Sequence, residues 1–190
     1  MYRQDIVMTK WAGMEGVCRI VREKERELRR RFPPAFIDQV LAMEQQLSSE
    51  KEMGLAKHLE VETIFCIKEG GVLAALWEMA ELLGVGLELD LKEIPIRQEI
   101  IEVCEYFRLN PYRLACAGSL LMLTDDGRFL TEKLSGQGIS AQVIGQITDS
   151  AERIFVGTGE KRHLGKPTRD EMYKVLGGGE WCDKYCTART

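Results

Sequence analysis

VETIFCIKEGGVLAALWEMAELLGVGLELDL, residues 61–91, contains the alternation on which the fold turns. Its opening, Val61 to Ile67, is rich in β-branched residues and almost wholly apolar, so it predicts a strand covered on both faces and placed centrally in a sheet. Gly70 and Gly71 interrupt it. The next twelve residues set Leu73, Leu76, Trp77, Ala80 and Leu83 at helical spacing, and Gly84 supplies the stop. The chain then returns as a strand, GVGLELDL, ending near Asp90.

Upstream, Gln4 to Gly13 places Ile6 and Met8 on one side and Val7 and Thr9 on the other, the pattern of a buried strand. From Met14 to Arg31, Val17, Ile20, Val21 and Leu28 recur at helical spacing amid Arg, Glu and Lys. Pro33 and Pro34 close that helix and open a second, about residues 35–47, carrying Phe36, Val40, Leu41 and Met43. Ser48 and Ser49 break it and can cap a third helix running through His58. Downstream, a helix is expected from about Arg97 to Phe107 with Ile100, Ile101, Cys104 and Phe107 inward. SLLMLT is then a strand, Gly127 to Gln137 a helix, SAQVIGQI a strand broken at Gly145, and RIFVG a last strand. The order is mixed rather than a repeated βαβ series. It predicts an α+β fold, a mixed β-sheet packed against helices, spanning residues 1–176 with a largely helical segment at 14–60; residues 177–190 are expected to be a flexible tail.

Composition narrows the function classes. The chain has 190 residues, 45% of them hydrophobic, and a formal net charge of −4. An acidic balance argues against a general nucleic-acid surface, which needs clustered Lys and Arg to displace counterions. No run of about 18 apolar residues is present to span a bilayer, so no membrane partner is expected and a cytoplasmic localisation is the default. Cys18, Cys66, Cys104 and Cys116 lie in apolar stretches and are expected to be reduced core thiols. Cys182 and Cys186 are four apart near Asp183, but two thiols fall short of a zinc set and His58 and His163 are distant in sequence, so no metal site is expected. Neither a G-x-S-x-G elbow nor a partnered His supports nucleophilic catalysis of the Ser-His-Asp kind.

The chemistry points to the Gly-Gly turn. Two glycines between a buried strand and a helix allow backbone N–H groups to approach a ligand at the positive end of the helix, and phosphate is the natural guest. The alternative is that the pair makes a tight turn and nothing more. Lys68 can neutralise a phosphate and Glu69 can act as a base, or the two can form a solvated pair.

The segments DIVMTKWAG, EGGVLAALWEMAELLGVGLELDLKEIPI, CEYFRLNPYRLACAGSLLM and VIGQIT, taken in order, resemble the C-terminal domain shared by aminoimidazole ribonucleotide (AIR) synthetase, selenophosphate synthetase, thiamine-monophosphate kinase and the hydrogenase maturation factor that dehydrates a carbamoyl group. The resemblance covers roughly Gln4 to Leu176. It implies ATP-driven activation of a substrate oxygen by phosphorylation, with ATP and magnesium held mainly by a separate N-terminal domain that also forms a dimer. No cofactor is then expected on this chain alone, which would be either a fragment or a natural stand-alone relative. The implied partners are a second copy, a separate ATP-binding domain, and a small phosphorylated or carbamoyl-type ligand.

The resemblance further implies that Lys68, Glu69, Gly70 and Gly71, together with the turn at Gly118 and Ser119, face the substrate cleft, with Asn110 and Tyr112 beside it; Ser119 either donates a hydrogen bond to a ligand there or caps the turn and nothing more. The family usually places an acid, a spacer and Thr ahead of its Gly-Gly pair; here Cys66 and Lys68 stand there. A stand-alone, non-catalytic ligand-binding or interaction module is the competing reading, in which the charged segment from Met14 to His58 would carry the partner surface.

Overall fold

The structure, a computed structural model, describes residues 3–156 and 161–177. Seven strands form one sheet: β1 (Asp5–Thr9), β2 (Thr63–Cys66), β3 (Gly86–Asp90), β4 (Leu120–Thr124), β5 (Ala141–Thr148), β6 (Arg153–Val156) and β7 (Arg162–His163), in spatial order β2-β4-β1-β5-β3-β6-β7. The pairings are antiparallel except β3 with β6, which is parallel. The helices are α1 (Met14–Glu23), α2 (Glu25–Leu28), α3 (Pro34–Ala42), α4 (Glu50–His58), α5 (Gly71–Leu83), α6 (Gln98–Phe107), α7 (Gly127–Gly136) and the short α8 (Tyr173–Leu176). The expected α+β architecture is therefore what forms.

Alternation along β1 and β4 assigns the two faces of the sheet. Ile6, Met8, Leu121 and Leu123 pack with Val72, Leu76, Met79 and Ala80 of α5. Val7, Leu120 and Met122 point the other way, onto Leu130 and Leu134 of α7 and Ala56 of α4. A third cluster joins α1, α3 and α6 through Val17, Ile20, Val21, Ile37, Val40, Ile100 and Val103. The break expected at Gly145 is a bulge: the β1–β5 register shifts between Ile6 and Val7, where Gly145 and Val143 are their partners.

Four expectations need correction. The strand at residues 61–67 is not central. Among the described residues it is the edge strand β2, paired with β4 alone; Ile64 and Phe65 pack partly onto opposite faces, which explains the apolar run without a central position. Cys66 at its end is exposed, unlike buried Cys18, Cys104 and Cys116. On α5 the buried stripe is rotated from the expected one: Val72, Leu76, Met79 and Ala80 are fully enclosed, whereas Leu83 is 39% exposed. Small residues, Ala75 and Ala80, let the helix sit close to the sheet and shift which neighbours meet it. The first long helix also breaks at Lys24, which separates α1 from α2.

Residues 173–176 form helix α8, and Tyr173, Val175 and Leu176 pack against the α1–α3–α6 cluster. The chain there is built into the fold rather than loose. The expected tail beyond Gly177, with Cys182 and Cys186, lies outside the described residues, as does Gly157 of the expected last strand.

Candidate functional site

β2 delivers the chain to the turn at residues 67–71, and α5 leaves from it. Ile67 N–H donates to Ser119 O at 3.1 Å, and Lys68 O accepts from Gly71 N–H at 3.2 Å and from Cys116 N–H at 3.4 Å. The two turns singled out in the sequence, Lys68–Gly71 and Gly118–Ser119, are therefore neighbours joined by backbone hydrogen bonds. The Lys68 and Glu69 side chains are exposed.

Both glycines adopt left-handed backbone, with φ of +83° at Gly70 and +70° at Gly71. A Cβ on Gly71 would lie 2.6 Å from the carbonyl oxygens of Tyr112 and Leu114. Glycine is required at this point by backbone geometry, whatever the turn binds.

Asp170 occupies the start of α5. Its Oδ2 accepts from Gly70 N–H at 2.8 Å and its Oδ1 from Met172 N–H at 2.9 Å, while the residue is only 4% exposed. A carboxylate beside the positive end of a 13-residue helix is favourably placed. Burial nevertheless pushes its pKa up, against the amide donors of Met172 and Gly70, which favour the charged form. The strap that brings it there is fastened at several points. Tyr173 Oη donates to Glu69 Oε1 at 2.7 Å, Arg113 Nη1 donates to Thr168 Oγ1 at 3.3 Å, Glu171 N–H donates to Arg113 O at 3.1 Å, and Asn110 N–H donates to Glu171 Oε2 at 3.3 Å. The hydrogen bond to Glu69 raises the Tyr173 phenol. Asp170 escaped the sequence reading. Its local bond to Met172 N–H has a sequence signature, an Asp two residues before a helical turn, but its partner at Gly70 is 100 residues away.

At the second turn, Gly118 has φ +87°, and a Cβ there would lie 2.5 Å from Gln46 O. Ser119 is 1% exposed, and its Oγ accepts from the Cys116 thiol at 3.3 Å. The hydroxyl is turned inward, and the turn is pinned by Lys10. The buried Lys10 ammonium donates to Gln46 O, Ser48 O and Gly118 O at 2.8, 2.6 and 3.0 Å and pairs with Glu52 at 2.9 Å. Asn110 Oδ1 caps the following turn by accepting from Tyr112 N–H at 3.0 Å, and burial raises the Tyr112 phenol.

On the flank of α5 a cavity of about 100 Å³ opens beside Gly70. Leu73, Phe155 and Leu164 give it apolar wall, and Arg113, His163 and Lys166 give it positive or ionisable groups. Among the described residues, no group of three or more His, Cys, Asp or Glu is placed to hold a metal ion.

Residues 67–157 match the family described as AIR synthase related protein, C-terminal domain. The chain is 29% identical over 97 residues to the carbamoyl dehydratase HypE of Rhodobacter capsulatus, a match covering 48% of this chain and 28% of that protein. Its fold is similar to that of E. coli HypE, a hydrogenase maturation protein, with TM-score 0.65 and 19% identity over 90% of this chain and 52% of the other. Thiamine monophosphate kinase from Aquifex aeolicus is similar too, with TM-score 0.58 and 18% identity over 84% of this chain and 51% of the kinase. The chain thus spans about half the length of these solved structures.

Proposed function

We propose that this chain, whose residues 67–157 match the AIR synthase related C-terminal domain, forms the substrate-side half of an ATP-dependent enzyme of the hydrogenase-maturation type and is inactive without an ATP-binding domain. The supporting observation is the strand–Gly-Gly–α5 unit, which falls inside the family match while the chain corresponds to only half of each solved relative. The ATP-binding half would be joined in the same polypeptide or supplied by a partner. Its substrate would be a small phosphorylated or carbamoyl-type molecule, and a dimer formed with a second copy and a cytoplasmic location complete the reading. Among the described residues no helix is long and apolar enough to cross a membrane.

Lys68 and Glu69 are the side chains of this turn that stand toward solvent, and in this reading Lys68 faces a substrate phosphate while Glu69 faces the group to be activated. Magnesium does not fit the same turn. The family's acid-spacer-Thr pattern is replaced by Cys66 and Lys68, and a cation at Lys68 repels a second cation. No metal-dependent step is therefore assigned to this chain.

The test is a chimera in which residues 4–176 replace the C-terminal half of a HypE-type relative. ATP-dependent dehydration by the chimera, reduced by Lys68→Gln, is the expected result; a folded chimera that binds ATP but turns over nothing would sink the proposal. One observation favours a second reading, that of a non-catalytic binding module: the amide of Gly70 is already taken by Asp170. In that case the folded chimera would be silent.

A further inference from the structure

We infer that the Lys10 ammonium fills a site for a monovalent cation, one that ties the link between α3 and α4 to the Gly118 turn and takes free ammonium or potassium once the lysine is removed. Four oxygens surround Lys10 Nζ: the carbonyls of Gln46, Ser48 and Gly118 at 2.8, 2.6 and 3.0 Å, and Glu52 Oε1 at 2.9 Å. A lysine ammonium has three N–H donors. The shell therefore offers more oxygens than the side chain has protons to give. Glu52 Oε2, buried and without a hydrogen-bond partner among the described residues, adds to that excess. An oxygen cage of this kind suits a charge held from several sides better than a set of one-to-one hydrogen bonds.

Distance and charge name the class of ion. Magnesium draws its oxygens to about 2.0–2.1 Å and calcium to about 2.3–2.6 Å, whereas these oxygens stand 2.6 to 3.0 Å from the nitrogen. Three neutral carbonyls and one carboxylate balance a single positive charge, and carbonyl oxygens are what replace the hydration shell of potassium in protein sites. The cage is assembled from separate parts of the chain: residues 46–48, Glu52 in the first turn of α4, and Gly118 just before β4. Lys10 reaches it from the end of β1 in left-handed backbone, φ +56°, a conformation that lysine rarely adopts. The fold accepts that strain to bring a cation to a position only 7% exposed. The inference is independent of catalysis and of an ATP-binding partner.

Lys10→Gly tests it in the full chain, since glycine accepts the backbone angle. Urea unfolding is followed in the chlorides of ammonium, potassium and tetramethylammonium at equal ionic strength. An ion that binds the folded state should raise the folding constant of the variant saturably, on the order of tenfold at about 300 mM ammonium or potassium relative to tetramethylammonium, which is too bulky for the cage. The intact chain, its site already filled, should differ by less than about twofold among the three salts. Where Lys10→Gly is unfolded in tetramethylammonium, ammonium should restore its near-ultraviolet circular dichroism. Adding Glu52→Gln to Lys10→Gly removes the carboxylate but keeps the carbonyls, and should abolish most of the preference. Equal folding constants for Lys10→Gly in all three salts, or a variant unfolded at every ammonium concentration, would overturn the inference. So would a gain of the same size in the intact chain or in the double variant, because the cation would then be acting elsewhere.

Discussion

Asp170 is where burial and hydrogen bonding compete on one atom group. Its pKa is raised in the folded chain, chiefly by burial, so between the ordinary carboxylate value and the raised one the native state binds more protons than the unfolded state. Stability contributed by this group is then present at low pH and lost as pH rises through that window. Asp170→Asn should flatten this component of the stability–pH curve, measured by urea unfolding between about pH 3 and 6; an unchanged curve would show that Asp170 does not titrate differently on folding. Asp170→Ala instead leaves the amides of Gly70 and Met172 without an acceptor and should cost about 1–3 kcal/mol at neutral pH.

The thiols separate on the same grounds. Burial pushes Cys18 and Cys104 up to about 12 and raises Cys116 as well, while Cys66 is exposed. With a thiol reagent at pH 8, Cys66→Ser should remove one fast-reacting equivalent, and Cys18→Ser or Cys104→Ser none. Mass mapping that found Cys104 labelled early would contradict this.

Among the elements, α5 and the Lys10 cluster hold the site in place. Leu76 is fully enclosed between α5 and the sheet, so Leu76→Ala should lower stability by about 2–5 kcal/mol in denaturant titration. Lys10 has φ +56° and holds residues 46–48 and Gly118 to one ammonium, with Glu52 beside it at 3% exposure. Lys10→Met strands that carboxylate and three carbonyls, and a loss of about 3–5 kcal/mol is expected. A near-neutral result for Lys10→Met would mean that water replaces the ammonium.

Most elements were legible because their signals are local. Periodicity placed α1, α6 and α7, the glycines at 84 and 145 marked a helix end and a bulge, and the alternation of Ile6 to Thr9 identified β1. What escaped depends on distance. Whether Thr63–Cys66 lies at the rim or the centre is decided by strand order, which residues 61–67 do not encode. The rotation of α5 is decided by the sheet that it meets. In the candidate site the two glycine turns were readable as turns, but the inward hydroxyl of Ser119 and the arrival of Asp170 at Gly70 required the assembled fold.

At the scale of the molecule, β2 is an edge strand among the described residues, and an edge strand presents a row of main-chain groups ready to pair. Self-association is the expected consequence, and sedimentation should show a dimer at micromolar concentration; a monodisperse monomer at high concentration would count against the dimer. The larger claim is that the fold supplies substrate contacts and leaves ATP to another domain. Calorimetric titration of ATP with magnesium into the chain alone, and into the chain joined to an ATP-binding domain of a HypE-type relative, tests this most directly. No stoichiometric binding is expected of the chain alone, and one ATP per joined molecule. Stoichiometric, magnesium-dependent ATP binding by the chain alone would contradict it.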